Sequence, residues 1–142
     1  MSGMRLTALV RVDSKGRITI PQTMREMLSV EPGMLMAIIA DSETKELIVS
    51  PISAESKKIF EITTLLKDKP GALASVTDEM AKAGADIVTA RCASIIRGEE
   101  AECVFIVDLS GSKMGPEELK DNLSRLAVVM QVKIKSFEPG MA

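Results

Sequence analysis

The segment between residues 10 and 21, VRVDSKGRITIP, constrains the fold of the N-terminal third of the chain most strongly. Apolar and polar residues alternate on both sides of a Ser-Lys-Gly turn, as in a β-hairpin with one buried face. Pro21 follows the second run, at a position where its missing N–H costs a helix nothing. We therefore predict strands over 6–12 and 17–20 and a short helix over 21–28.

Positive charge is concentrated in the same part of the chain. Residues 5–25 hold five cations and one acid, whereas residues 53–142 hold 12 cations and 14 acids. The five cations are Arg5, Arg11, Lys15, Arg17 and Arg25. A basic patch on a protein of net charge -2 favours a partner with a phosphate backbone. The alternatives are a solvated surface and, for Arg17, an ion pair with Asp13.

These residues resemble the swapped-hairpin DNA-binding domain of the AbrB/MazE/SpoVT family. The motifs that carry the resemblance are Val12-Asp13, Gly16-Arg17, Ile18, Ile20, Pro21, Arg25 and Leu28. The resemblance implies that two chains interleave their hairpins into one dimeric β-barrel. The candidate DNA contacts, strongest first, are Arg17, Arg25, Lys15, Arg11 and Arg5. Glu26 and Val10 stand where relatives carry cations, which implies a modest DNA affinity or a different partner.

A polar run at residues 53–57 interrupts the strand pattern and divides the chain. We predict a first domain over 1–52, a linker over 53–57, a second domain over 58–138 and a tail over 139–142. A domain of about 50 residues buries too little surface to be comfortably stable alone, so a dimer is expected on physical grounds as well. The second domain follows the order strand, helix, strand, strand, helix, strand, and the fold class is therefore α+β.

Residues 58–138 resemble an ACT domain, a ferredoxin-like βαββαβ module that senses small ligands. The motifs are Asp68-x-Pro70-Gly71-x-Leu73 and, after the helix, Gly84-Ala85-Asp86-Ile87. The resemblance implies an effector such as an amino acid, bound where two domains pair. Backbone N–H groups at 71–73 would hold its carboxylate, and Asp68 and Asp86 its ammonium group. The candidate effector-binding residues are Asp68, Pro70, Gly71, Ala72, Leu73, Asp86 and Ile87. The alternative is a dimerisation module without a ligand, in which Asp68 only caps the helix.

The strand patterns at 86–96 and 101–109 predict a hairpin with Cys92 opposite Phe105. In this register Cys92 and Cys103 share an apolar face. Two buried free thiols are the expected state, and a redox switch is the alternative.

The opposite face of this hairpin mixes charged and apolar residues. Its apolar members are Ile95, Val104 and Ile106, which would form an exposed stripe if nothing covered them. We expect a second subunit to dock there, with plain solvent surface as the alternative.

The absence of histidine removes the commonest general base and metal ligand, so we expect no enzyme activity, no metal and no cofactor apart from the amino-acid effector. Two cysteines, the absence of a secretion signal and the lack of a membrane-length apolar run predict a cytoplasmic protein that does not enter membranes. The sequence thus predicts a DNA-binding transcriptional regulator, a homodimer or a tetramer through its ACT-like domains. The alternatives are a protein-binding regulatory subunit of an amino-acid metabolic enzyme and an antitoxin-like protein.

Overall fold

The computed structural model describes residues 3–52 and 58–137. The chain divides into two compact units, Met1–Met34 and Leu35–Ala142. Its helices and strands are α1 Gln22–Met27, β1 Met36–Asp41, β2 Glu46–Pro51, β3 Ile59–Lys67, α2 Ala72–Ala83, β4 Asp86–Ile96, β5 Glu100–Asp108, α3 Pro116–Ser124 and β6 Val129–Ser136. The linker predicted at 53–57 and the tail at 139–142 lie outside the described residues, and the domain boundaries stay a prediction.

The N-terminal unit contains a turn and a short helix. The Asp13 N–H donates to the Arg17 carbonyl oxygen at 2.9 Å, and Gly16 completes the turn with a φ of 77°. Residues 3–20 form no strand in this single chain. The described chain therefore lacks the closed barrel and the strands predicted at 6–12 and 17–20. A β-strand needs a hydrogen-bonding neighbour, and the described residues provide none here.

Strands β1 and β2 form an antiparallel hairpin that packs on the C-terminal sheet. Its apolar cluster consists of buried Ile52, Ile59 and Ile106, with Leu35, Ala37, Ile39, Val88 and Phe137 packed against them. Ile106 lies on the sheet face opposite that of Phe105 and Val107, since successive strand residues alternate. The chain thus covers part of the face that the sequence assigned to a second subunit, whereas Ile95 on that face stays 54% exposed.

The C-terminal sheet has four strands in the order β4-β5-β3-β6, and every neighbouring pair is antiparallel. Helix α2 connects β3 to β4, and α3 connects β5 to β6. This order of elements and strands is the arrangement of ferredoxin-like folds.

The main core lies between this sheet and the two helices. Helix α2 buries Ala72, Val76, Met80 and Ala83, a spacing that keeps one helical face turned inward. The buried members of the core are Ile62, Leu66, Ala72, Val76, Met80, Ala83, Cys103, Phe105, Val107, Leu109, Leu119, Leu123 and Val132. The largest fully buried side chain is Phe105, on the strand that the sheet encloses from both sides.

The β4–β5 hairpin departs from its predicted register. Its pairing shifts between Ile87 and Thr89 and again between Ser94 and Ile96. Because Ile96 rather than Arg97 lies opposite Glu100 and the pairing shifts once more before Ser94, Cys92 lies opposite Cys103, and the predicted partner Phe105 is wrong. The first shift also turns Val88 away from the main core into the smaller cluster.

Cys92 and Cys103 are joined by a disulfide bond. The expectation of two free thiols is therefore wrong. It rested on a register that kept the two cysteines diagonal to each other, whereas the observed pairing brings their Cα atoms to 4.1 Å, close to the spacing of directly opposed residues in a non-hydrogen-bonded pair.

Candidate nucleic-acid interface and loop pocket

The basic turn of the N-terminal unit is organised by Asp13. Its Oδ1 accepts the backbone N–H groups of Lys15 and Arg17, both at 2.9 Å, and its Oδ2 accepts Arg17 Nε at 2.9 Å. The hydrogen bond from the backbone N–H of Arg17 holds the pKa of Asp13 below its ordinary value, and the hydrogen bond from the Arg17 guanidinium adds a smaller effect in the same direction. The ion pair considered for Arg17 is thus formed, yet the side chain stays 69% exposed and keeps further N–H donors for a phosphate.

Arg25 has a local structural partner as well. It lies in the last turn of α1, is half-buried, and donates from Nη1 to the carbonyl oxygen of Ile20. Arg5, Arg11 and Lys15 are exposed, and no ion pair within residues 3–52 and 58–137 involves them. The basic segment therefore offers three unpaired charges beside two arginines that also hold the backbone.

The same segment exposes apolar side chains on alternate residues. Leu6, Val10 and Val12 are 45%, 46% and 68% exposed, and Ile18 beyond the turn is 47% exposed. This alternation, broken at Leu9, is typical of a strand with one buried face, and among the described residues much of that face stays exposed.

A pocket of about 220 Å³, the loop pocket, opens at the start of α2. Its walls are the loop after β3 and the adjoining ends of β4 and β5, and its lining residues are Leu66, Lys67, Asp68, Lys69, Ala72, Leu73, Cys92, Ala93, Ser94, Ala101 and Cys103. Three predicted effector residues, Asp68, Ala72 and Leu73, meet there. Pro70 and Gly71 complete the loop, with Gly71 in the left-handed region at a φ of 86°.

Asp68 ties this loop to the β4–β5 hairpin. Its Oδ2 accepts the hydroxyl of Ser94 at 3.1 Å and the N–H of Gly98 at 2.9 Å, and its own N–H donates to the Glu99 carbonyl oxygen at 3.0 Å. Helix α2 has no side-chain cap, so the capping role considered for Asp68 is wrong. The sequence does not predict Ser94 and Gly98 as partners of Asp68, because hydrogen bonds across 26 to 30 residues leave no local signal.

Asp86 and Ile87 lie far from this pocket. They begin β4, whereas Ser94 in the pocket wall lies eight residues further along the strand, roughly 26 Å at a strand's usual rise. Ile87 packs against the main core. A single chain therefore does not bring Asp68 and Asp86 together, and their shared role as ammonium ligands would need Asp86 from a second copy.

Arg91 and Asp41 form the second ion pair of the described residues. Arg91 Nη2 lies 2.6 Å from Asp41 Oδ2, with each side chain about one-quarter exposed, and the pair links the β1–β2 turn to β4. The Arg91 guanidinium, aided by the N–H groups of Thr44 and Glu43, holds the pKa of Asp41 below its ordinary value.

This pair is expected to support stability only while Asp41 is ionised. Because the folded-state pKa is lowered, the stabilisation is complete above the unfolded value of about 3.9 and is lost as the pH falls through the lower folded value. Asp41→Asn should therefore destabilise the protein at pH 7 and lose less stability than wild type below about pH 4. Urea unfolding from pH 7 to pH 3 measures this, with the exposed Asp121→Asn as control. Parallel pH profiles of wild type and Asp41→Asn would contradict the assignment.

No group of three or more acidic or cysteine side chains within residues 3–52 and 58–137 is arranged to hold a metal ion. In the same part of the chain, no helix is long and apolar enough to cross a membrane.

Residues 9–57 match the family described as "Antidote-toxin recognition MazE, bacterial antitoxin". The match supports a DNA-binding or antitoxin-like regulator and confirms the resemblance of the N-terminal segment. It does not extend to the ACT-like residues. No curated protein is similar enough to the chain to count as a relative.

Three solved structures show distant likeness. An unknown protein from Galdieria sulphuraria is 17% identical with a TM-score of 0.48, over 57% of this chain and 45% of that one, so the chain spans less than half of its length. The chemotaxis kinase CheA P2 domain, solved with CheY from Thermotoga maritima, is 21% identical with a TM-score of 0.40, over 56% and 98% of the two chains. The C-terminal domain of MgtC from Mycobacterium tuberculosis is 13% identical with a TM-score of 0.46, over 64% and 99%.

Proposed function

We propose that the chain is a DNA-binding transcriptional regulator. The observation that carries the proposal is the concentration of positive charge on an exposed turn inside the segment that matches the MazE family. Domains of this family dimerise and bind DNA or a toxin. Phosphate contacts from a few arginines would position such a domain on the duplex and leave specificity to the shape of the DNA.

The DNA-binding form in this proposal is a homodimer. The uncovered alternation of Leu6, Val10, Val12 and Ile18 supports it, because a second copy would supply both the missing strand partners and the missing cover. Two copies would also place two basic turns on one duplex, which suits a pseudo-symmetric site.

The C-terminal unit in this proposal senses a small effector, such as an amino acid, or drives oligomerisation. The loop pocket supports the first role, since it joins Asp68 to the start of α2 in a space of about 220 Å³. Asp68 and Asp86 lie far apart in one chain, and this separation supports a link between effector sensing and oligomerisation. An effector that uses both carboxylates would be held between paired units, so that its binding would favour a dimer or tetramer.

Selection of genomic DNA fragments by the full-length protein at two salt concentrations tests DNA binding. Wild type should enrich discrete fragments and lose affinity as salt rises, whereas Arg17→Ala/Arg25→Ala should enrich none. The control Arg97→Ala/Lys82→Ala removes the same charge from exposed positions of the C-terminal unit and should behave as wild type. Equal, weak binding by all three proteins would refute the proposal.

Antitoxin-like activity is the second candidate, and the description of the matched family favours it. The same uncovered N-terminal surface would then serve a toxin as well as a second copy. Co-purification of a small protein with the full-length chain, lost on substitution of the apolar segment, would support this function. Purification as a pure homo-oligomer that binds DNA would favour the regulator.

A further inference from the structure

The disulfide lies in the wall of the loop pocket, and its two cysteines differ sharply in their exposure to solvent. Cys92 and Cys103 both line the pocket. Cys103 is 2% exposed and belongs to the main core, whereas Cys92 is an exposed residue of β4. A thiolate entering the pocket therefore reaches Cys92 more easily, and access is one of the factors that decides which sulfur of a disulfide is attacked.

The bond also fastens an edge strand of the sheet. Strand β4 is an edge strand whose sheet neighbour is β5, and its pairing shifts on both sides of Cys92. Strand β5, in contrast, is held by β3 as well, with Thr64 opposite Cys103 and the Thr64 hydroxyl donating to the Cys103 carbonyl oxygen. Cleavage of the bond would loosen β4 and leave β5 in place.

Asp68, in the pocket wall, accepts hydrogen bonds from the end of β4 and from the turn that follows it. Asp68 accepts from Ser94 and Gly98, which lie two and six residues beyond Cys92. If β4 loosens beyond Cys92, these hydrogen bonds weaken, and the loop before α2 loses part of its attachment to the β4–β5 hairpin.

We propose that the Cys92–Cys103 disulfide is a thiol–disulfide exchange site for small thiols, attacked at Cys92 through the loop pocket, and that its reduction loosens the end of β4 that forms part of the pocket wall. The site requires neither DNA nor an effector, and it goes beyond the proposed function.

The exchange proceeds in two steps that balance. A thiolate attacks Cys92 Sγ, the S–S bond breaks, and the electron pair leaves on Cys103 Sγ, which takes a proton from water. A second thiolate then attacks the outer sulfur of the mixed disulfide and releases a small-molecule disulfide and the Cys92 thiolate, which is protonated in turn. Two thiols are thus oxidised to one disulfide while the protein gains two thiols.

Trapping the mixed disulfide tests the site of attack. The oxidised full-length protein is exposed to reduced glutathione for short times, quenched in acid and mapped by peptide mass spectrometry. Glutathione should be found on Cys92 at least tenfold more often than on Cys103. Single-cysteine variants provide the matched comparison, since Cys92 in Cys103→Ala should react with maleimide at least tenfold faster than Cys103 in Cys92→Ser.

Hydrogen exchange of the wild type tests the structural consequence without any substitution. Reduction should speed exchange at residues 93–99 at least tenfold and leave β3 unchanged. The proposal is overturned if protein isolated under air carries two free thiols, if glutathione marks both cysteines equally, or if reduction leaves exchange at residues 93–99 unaltered.

Discussion

Replacing Arg11 and Lys15 by glutamine is expected to weaken binding to a selected DNA fragment by about a hundred- to a thousandfold at physiological salt. Both side chains are exposed, and neither takes part in an ion pair within the described residues, so their loss should spare the fold. A dimer would lose four phosphate contacts, and the log–log dependence of affinity on salt should become shallower by about 3.6. Fluorescence anisotropy titrations between roughly 50 and 200 mM salt measure both quantities.

The outcome also reports how many copies touch the DNA. A slope reduced by about 1.8 would mean that one copy of the turn contacts phosphates, contrary to a symmetric dimer. Arg97→Gln/Lys82→Gln removes the same two charges from the C-terminal unit and should leave the slope unchanged. An unchanged slope for Arg11→Gln/Lys15→Gln would show that the basic turn does not contact phosphates.

Replacing Phe105 by alanine is expected to lower the free energy of unfolding by about 3–5 kcal/mol. Phe105 is fully buried in the main core, on the strand flanked by both β3 and β4. Its removal would leave a cavity that neighbours on two strands and two helices cannot fill, because interiors are close-packed. Urea unfolding of the oxidised protein, followed by circular dichroism, measures the loss.

Ile95→Ala is the matched control on the same sheet. Ile95 lies on the outer face and is 54% exposed, so its truncation should cost about 0.5 kcal/mol or less. If the two variants were equally stable, the assignment of the core to the helix-covered face would be wrong. A large loss for Ile95→Ala alone would instead indicate that a second subunit covers the outer face.

Much of the C-terminal fold could be predicted from local patterns. The alternation in β3, the helical spacing of Val76, Met80 and Ala83, and the glycine that ends α2 each act within a few residues. These signals predict the order of elements, and the order in turn favours the ferredoxin-like sheet. The register of β4 on β5 could not be predicted in this way, because two irregularities shift it and neither has a distinctive sequence.

The candidate site was partly predictable for the same reason. The five cations of the N-terminal segment lie within residues 5–25, so their clustering can be seen without the fold. The partners of Asp68 and the pairing of Cys92 with Cys103 depend on where separate strands meet. The predicted use of Asp68 and Asp86 together requires two positions that the fold of one chain separates by most of the length of β4.

The order of elements in the C-terminal unit and the positive charge of the N-terminal turn follow from the sequence alone. These properties depend on side-chain type and short-range spacing. Three further features appear only when the chain is folded: the cysteines are bonded, Asp68 fastens a hairpin, and the β1–β2 hairpin covers Ile106. These are contacts between distant parts of the chain, and their geometry is set by how whole strands pack rather than by any local preference.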